Sequence, residues 1–375
     1  MRSDRLSRDE AIRFLVESPL VALMARAHAF RMELHPRNDV TFVVDTNPNY
    51  TNVCVTDCTF CSFYRRPGAA DAYLLPAAVV AEQVATAQAA GATTVLIQGG
   101  HHPQVRWRYL DALLMAIRQR APGIHLHPFS PSEVVHVAST SGLSVRQVLQ
   151  RMWDRGVRTM PGGGAEILVD RVRRKLAPKK LRSQEWLDCM RVAHEIGMRT
   201  SATMTYGHVE APEDIVDHLL ALRQLQDETG GFYAFIPWSF KPGKSPLARR
   251  VPTARSPSFY LRVIALSRLV LDNVPHIQAS WFGEGVRAGQ LALVGGADDF
   301  GGVLLEENVL REARHAVATS IDAVVKMIDE AGFAPVQRST LYETVWRYDG
   351  LPEPTRPMNG SLVHHRPGRI PILVV

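Results

Sequence analysis

Three cysteines fall within eight residues, Cys54, Cys58 and Cys61, and the chain has one other, Cys189. In a reducing compartment such a set points to metal rather than to a disulfide. Three thiolates in one tight loop can hold three irons of a cubane cluster and leave the fourth iron open to chelation by a small molecule. A zinc site is the alternative, and it normally wants four ligands. Cys189 is the only thiol left for that role, but it sits mid-helix in the stretch QEWLDCMRVAHE and reads as a packed helix residue.

The other groups able to do chemistry gather where apolar, strand-like runs end. They are Gln98, His101 and His102; His127 and Ser130; Glu166; Tyr206, His208 and Glu210; Trp238 and Ser239; and Gln278 and Trp281. They come from six segments and meet only in a fold that brings successive strand ends to one face. The patterning supplies such a fold. Strand-like runs at 40–47, 94–97, 124–130, 158–160, 199–206, 232–238 and 276–281 alternate with helical spacing at 76–90, 106–120, 144–155, 183–196, 211–227 and 257–272, and a weaker eighth unit is expected near Leu291–Asp299. About eight strand–helix units, repeating every ~30–40 residues, predict an α/β chain folded as a (β/α)8 TIM-type barrel, with a doubly wound open sheet as the alternative. Residues 1–40 read as an N-terminal helical cap, 41–345 as the barrel and 346–375, rich in proline, as a C-terminal extension or tail.

The chain has 375 residues, 46% of them hydrophobic and 21% charged, which excludes wholesale disorder and a small disulfide scaffold. Its net charge of +6 is spread thinly, so an anionic small substrate or an acidic protein partner suits it better than nucleic acid. The opening MRSDRLSRDEAIRFLVESPL carries acids throughout and resembles neither a signal peptide nor a membrane span, so a cytoplasmic location with no membrane partner is expected.

The CxxxCxxC spacing resembles the radical SAM superfamily. Phe60, just before the third cysteine, stands where that superfamily places an aromatic near the adenine, and Gln98-Gly99-Gly100 ends the second strand where its Gly-rich motif meets the methionine amino group. NYTNVCVTDC (49–58), QGGHHP (98–103), HLHPFSP (125–131), PGGGAEILVDRVRRK (161–175), YGHVE (206–210), DETGGFYAFIPW (227–238) and LDNVPHIQASW (271–281) are similar to the cyclic dehypoxanthine futalosine synthases of the futalosine route to menaquinone. The likeness runs from about residue 8 to 345. Departures fall at Asp45-Thr46-Asn47, Phe240-Lys241-Pro242-Gly243, Phe282-Gly283-Glu284-Gly285, Gly295–Phe300 and after Glu307-Asn308, mostly in segments expected to face the substrate.

The resemblance implies a [4Fe-4S] cluster on Cys54, Cys58 and Cys61, with S-adenosyl-L-methionine (SAM) held by Phe60, Gln98, Gly99, Gly100, Ser130 and Glu166. It implies a 5′-deoxyadenosyl radical that takes a sugar hydrogen from dehypoxanthine futalosine, after which the carbon radical closes a spiro ring on the attached benzoate and an electron and a proton leave. A paralogue forming a C–C bond on another nucleoside-like substrate is the alternative. His101, His102, His127, Gln278 and Trp281 are expected to contact substrate, and Tyr206 and His208 to serve as base or hydrogen-bond donor. Arg65 and Arg66 are candidates to hold a carboxylate or to dock a low-potential donor such as flavodoxin or ferredoxin. Arg171, Arg173, Arg174 and Lys175 read as a charged helix face.

Overall fold

The computed structural model describes residues 5–313 and 319–348. Eight parallel strands follow one another around a barrel: β1 (Asp39–Asn47), β2 (Thr94–Ile97), β3 (His125–Pro128), β4 (Thr159–Met160), β5 (Arg199–Tyr206), β6 (Phe232–Ser239), β7 (His276–Ile277) and β8 (Asp299–Glu307). Backbone ladders join β1–β2–β3 and β4–β5–β6–β7, β8 pairs with β1, and a bridge between Gln278 and Asp299 joins the β7 end to β8. Between β3 and β4 side chains make the link: Thr159 Oγ1 lies 2.7 Å from His125 Nε2 and 2.8 Å from His127 Nδ1. The expected α/β, TIM-type barrel is therefore the architecture found.

The helices start and stop where local chemistry dictates. Ser130 and Glu133 form a reciprocal capping box at the helix Pro131–Ser141, with Pro131 in its first turn and Gly142 at φ 64° ending it. The leading segment is two helices, Arg8–Val16 and Leu20–Leu34. Their apolar faces bury Leu15, Leu23 and Ala27 against the outside of the barrel, and Leu23 and Ala27 pack with Ala265. Each large aliphatic side chain so covered contributes roughly 1.5–3 kcal/mol.

Two features differ from the sequence expectation. The apolar run at Leu291–Val294 belongs to a helix, Val286–Val294, which buries Ala292 and Leu293 and exposes Leu291 and Val294. The eighth strand begins only at Asp299, and its Gly301-Gly302 pair disguises it; a Cβ on Gly302 would overlap the Asp45 carboxylate on β1. The second feature is a pair of strands at the end of the described chain, β9 (Ala334–Arg338) and β10 (Thr344–Arg347). β8 takes Thr41–Asn47 along one edge of β1, so β9, paired at Asp39–Phe42, and β2, paired at Asp45–Thr46, share the other edge. Thr94 Oγ1 and Thr340 Oγ1 meet at 2.7 Å across that wedge. The tail boundary expected at 345/346 falls inside β10, and residues 349–375 lie outside the described residues.

Candidate active site

The segment after β1 does not run straight into a helix. It folds into a loop pinned on several sides: Cys54 N–H donates to Arg65 O, Val55 N–H to His101 O and Thr59 N–H to Leu176 O. Arg65 staples it, donating to the carbonyls of Ser62, Phe63 and Tyr64 and to Asp71 and Glu312. Arg65 is thus a structural fastener, while Arg66 beside it stays exposed. Cys54, Cys58 and Cys61 are free thiols and all line one cavity of about 170 Å³. Thr56 Oγ1 sits between two of them, 2.9 Å from Cys54 Sγ and 3.5 Å from Cys58 Sγ. Burial pushes the Cys58 thiol up to about 11 and raises that of Cys61, against N–H groups of Tyr64 and Phe63 that pull the latter down. Thiols held neutral by burial become thiolates when a cation binds them. This donor set, three thiols lining one cavity, fits a three-cysteine cluster. Cys189 is buried in the helix Ser183–Ile196, outside that cavity, and is no fourth ligand.

The turn at Gln98-Gly99-Gly100 forms the facing wall. Its glycines are required by close approach. A Cβ on Gly99 would lie 2.6 Å from the Tyr50 ring, and one on Gly100 would overlap the Val53 carbonyl oxygen and sit 2.9 Å from Cys54 Cβ. A buried carboxylate locks the turn. Glu133 Oε1 accepts from Gly99 N–H (2.9 Å) and Tyr50 O–H (3.0 Å), and Oε2 accepts from Ser130 N–H and O–H (both 2.8 Å). The 162–164 glycine run completes the cavity, with Gly163 near the Gln98 amide and Ser130. Glu166 follows in the left-handed region at φ 44°, buried between Lys180 (2.8 Å) and Arg173 (3.4 Å). Burial opposes its charge, but those two cations hold its pKa below the ordinary value. Arg173 also donates to the carbonyls of Gly164, Ala165 and Leu181, so it fastens the loop and is no solvated helix face.

A larger cavity of about 360 Å³ occupies the barrel lumen and shares Phe60, Cys61, Gln98, Gly163 and Gly164 with the cluster cavity. Ser201, Thr203 and Thr205 point into it from alternate positions of β5. Tyr233, Trp238, Phe240 and Phe282 supply aromatic wall, and Lys241 reaches in, bonded to Ser239 Oγ (2.7 Å) and Glu284 (3.0 Å). Arg338, Thr340 and Tyr342, carried by β9 and its turn, close the far end; Arg338 is paired with buried Asp299 and covered by the Tyr342 ring at 3.9 Å.

The structure brings together most of the expected residues. Phe60 and Gln98 line both cavities; Gly99, Gly100, His101 and Ser130 line the cluster cavity; Glu166, His127 and Gln278 line the lumen. His101 is buried, 3.0 Å from Ser132 Oγ and stacked on His136. His102 lines neither cavity; its Nδ1 accepts from Gln104 N–H. Four further residues, Tyr206, His208, Glu210 and Trp281, also lie outside the cavities. Tyr206 has the parity of Met204 rather than of Thr205, so its ring packs toward Phe259 among the helices. His208 serves the turn, 2.7 Å from Glu210 and 2.8 Å from Thr205 O. Trp281 begins a short helix, Trp281–Glu284, and stacks on Phe300 in the core. Sequence reasoning passed over Glu133 and Lys180, although the Ser130-x-x-Glu133 spacing is a capping-box signature. It also passed over the β5 hydroxyls, whose period-two spacing was legible, and Arg338, for which no sequence signal existed.

A family model for the radical SAM superfamily matches residues 48–222, and one for the CofH/MqnC C-terminal region matches 229–349. The chain is 43% identical over 331 residues to a 5-amino-6-(D-ribitylamino)uracil–L-tyrosine 4-hydroxyphenyl transferase of Methanopyrus kandleri, covering 87% of this chain and 89% of that one. It is 37% identical over 349 residues to a cyclic dehypoxanthine futalosine synthase of Halalkalibacterium halodurans, covering 93% and 94%. An FO synthase of Mycobacterium tuberculosis is 42% identical over 331 residues, 86% of this chain but 38% of that protein. Among solved structures, methylornithine synthase superposes with a TM-score of 0.70 over 89% of this chain and 95% of that one, at 18% identity, which speaks for the fold alone. With these relatives spanning nearly its whole length, the chain belongs to the radical SAM superfamily, enzymes that use a [4Fe-4S] cluster and SAM.

Proposed function

We propose that this radical SAM enzyme converts dehypoxanthine futalosine to its cyclic product. One observation carries the reading: the cluster cavity opens through Phe60, Cys61, Gln98, Gly163 and Gly164 onto a lumen lined by β5 hydroxyls on one side and aromatic rings on another. A sugar bearing hydroxyls, joined to an aromatic acid, matches that division. The Halalkalibacterium relative, aligned over nearly the full length of both chains, agrees with it.

When bound, the cluster and SAM supply a 5′-deoxyadenosyl radical. This chain's own residues do the rest. Cys54, Cys58 and Cys61 hold the cluster. Phe60, Gln98, Gly99, Gly100 and Ser130 shape the space for SAM, with Glu166 and Lys180 as its charged border. His127 and Gln278 face the substrate, and β9 with Arg338 and Tyr342 excludes water from the far end, so that placement of one C–H bond is retained. Exposed Arg66, beside the cluster loop, is a docking point for a low-potential donor of the flavodoxin or ferredoxin class.

The Methanopyrus transferase supports a second reading, addition of a tyrosine-derived hydroxyphenyl group to a ribitylaminouracil, since its identity to this chain is higher. Reduced, cluster-loaded enzyme with SAM should be offered each substrate set in turn. Cyclised product from dehypoxanthine futalosine supports the first reading. Adduct from tyrosine and the uracil, with the nucleoside untouched, overturns it.

A further inference from the structure

A string of four side chains leads from the lumen toward solvent. Tyr233 O–H lies 3.3 Å from His127 Nε2, His127 Nδ1 lies 2.8 Å from Thr159 Oγ1, and Thr159 Oγ1 lies 2.7 Å from His125 Nε2. Tyr233 and His127 line the substrate cavity. Thr159 is fully buried, and His125, the first residue of β3, is partly exposed. The string crosses from β3 to β4, the junction where side chains replace the backbone ladder and where Thr159 Oγ1 also lies 3.4 Å from Leu126 O.

Two opposite arrangements of protons satisfy the string, and only one of them leaves His127 Nε2 an acceptor. In that one, His127 Nδ1–H donates to Thr159 Oγ1, and the Thr159 hydroxyl donates to His125 Nε2. His127 Nε2 is then an acceptor facing the cavity, held by Tyr233 O–H. Burial keeps both imidazoles neutral and so able to accept: it lowers His127 well below the ordinary value and His125 to about 4, with His125 and Arg338 adding to the effect at His127. Lys180, Arg338 and Lys241, the cations around the two cavities, each carry a carboxylate partner, and none is a proton acceptor.

We propose that His127 is the base that takes the ring proton in this enzyme's reaction, and that Thr159 and His125 relay that proton out of the barrel. The assignment rests on the cyclase reading above. In the step, a ring C–H bond breaks and its proton bonds to His127 Nε2. The Nδ1 proton passes to Thr159, the hydroxyl proton passes to His125 Nε2, and the other ring nitrogen of His125 gives up its proton to water at the partly exposed end of the string. The C–H electron pair stays in the ring, which then yields one electron to a one-electron acceptor of the iron–sulfur or flavin class.

The test uses the cluster-loaded enzyme and follows cyclised product and 5′-deoxyadenosine together. Thr159→Val keeps the shape and removes the hydroxyl. It should cut product by about 10²–10⁴-fold, as should His127→Gln, while 5′-deoxyadenosine continues to form. Thr159→Ser should retain product within a few-fold, and imidazole should restore His125→Ala. Product at the wild-type rate in Thr159→Val, or failure of imidazole in His125→Ala, overturns the relay. If the wild type leaves dehypoxanthine futalosine unchanged, the cyclase reading fails by itself. The relay is then read from the ¹⁵N shifts of the histidine rings. A proton on His127 Nδ1 that redistributes in Thr159→Val supports it, and a proton fixed on Nε2 overturns it.

Discussion

Replacing Glu133 with Gln alters one atom of a side chain at the edge of the cluster cavity, outside the lumen, and it should loosen the SAM turn. Both carboxylate oxygens accept from two donors each, and two of the four donors are backbone N–H groups, of Gly99 and Ser130. Burial pushes the Glu133 pKa up, and the Ser130 and Gly99 donors pull the other way. A Gln amide can satisfy only one side. The Tyr50 and Ser130 hydroxyls can rotate to accept from the new NH₂, but a backbone N–H cannot. Whichever way the amide turns, one peptide N–H is left buried facing a donor, and the remaining bonds lose their charge. Together these put the loss at about 2–4 kcal/mol. Urea denaturation should show a lower midpoint at unchanged slope. The SAM dissociation constant should rise with it, because the Gly99–Gly100 turn is no longer tied to the helix Pro131–Ser141. A variant within about 1 kcal/mol of wild type, with SAM affinity intact, would refute the claim that Glu133 holds the turn.

Alanine at Cys54, Cys58 or Cys61 should abolish SAM cleavage, measured as 5′-deoxyadenosine, whereas Cys189→Ala leaves it nearly intact; cleavage persisting in Cys58→Ala would end the cluster assignment. Tyr206→Phe should leave the ratio of product to 5′-deoxyadenosine unchanged, since the Tyr206 hydroxyl lies outside the lumen and has no hydrogen-bond partner among the described residues. Asp298 is buried, but His276 and Arg268 hold its carboxyl below the usual range. Its contribution is therefore complete above the unfolded value of about 3.9 and lost as the pH falls through the folded value. Denaturation midpoints followed downward from about pH 6 should fall more steeply below about pH 4 for wild type than for Asp298→Asn, which starts lower; parallel curves would refute the coupling.

The barrel was legible because strands β1 to β6 are apolar runs set off by Gly and polar punctuation, and the cluster loop was legible because cysteine spacing is dictated by ligand geometry. Residues at strand ends were harder. A strand end has two faces, and a shift of one residue moves a side chain from lumen to helix layer. That is why Thr205 and not Tyr206 lines the cavity, and why His127 fell on the lumen side as expected. Trp281 and His208 misled because an aromatic or a histidine after a strand serves a turn as readily as a ligand. β9 was invisible: Ala334–Arg338 is a short segment with a proline, and only its pairing with a strand at the other end of the chain makes it structure.

That pairing has a consequence in time. β1 and its partner β9 are roughly 300 residues apart, so at a synthesis rate of about 5–20 residues per second the two are separated by ~15–60 s on the ribosome. For most of that interval one edge of β1 lacks β8, for all of it half of the other lacks β9, and the loop that follows, with its three thiols, stands at the rim of an unfinished barrel. The site is most open to incoming iron and sulfide while the chain is still being made. After the last strands dock, Cys54 and Cys61 stay partly exposed on the cavity they line, so reconstitution into folded protein should proceed through that cavity at a rate that mild denaturant leaves unchanged.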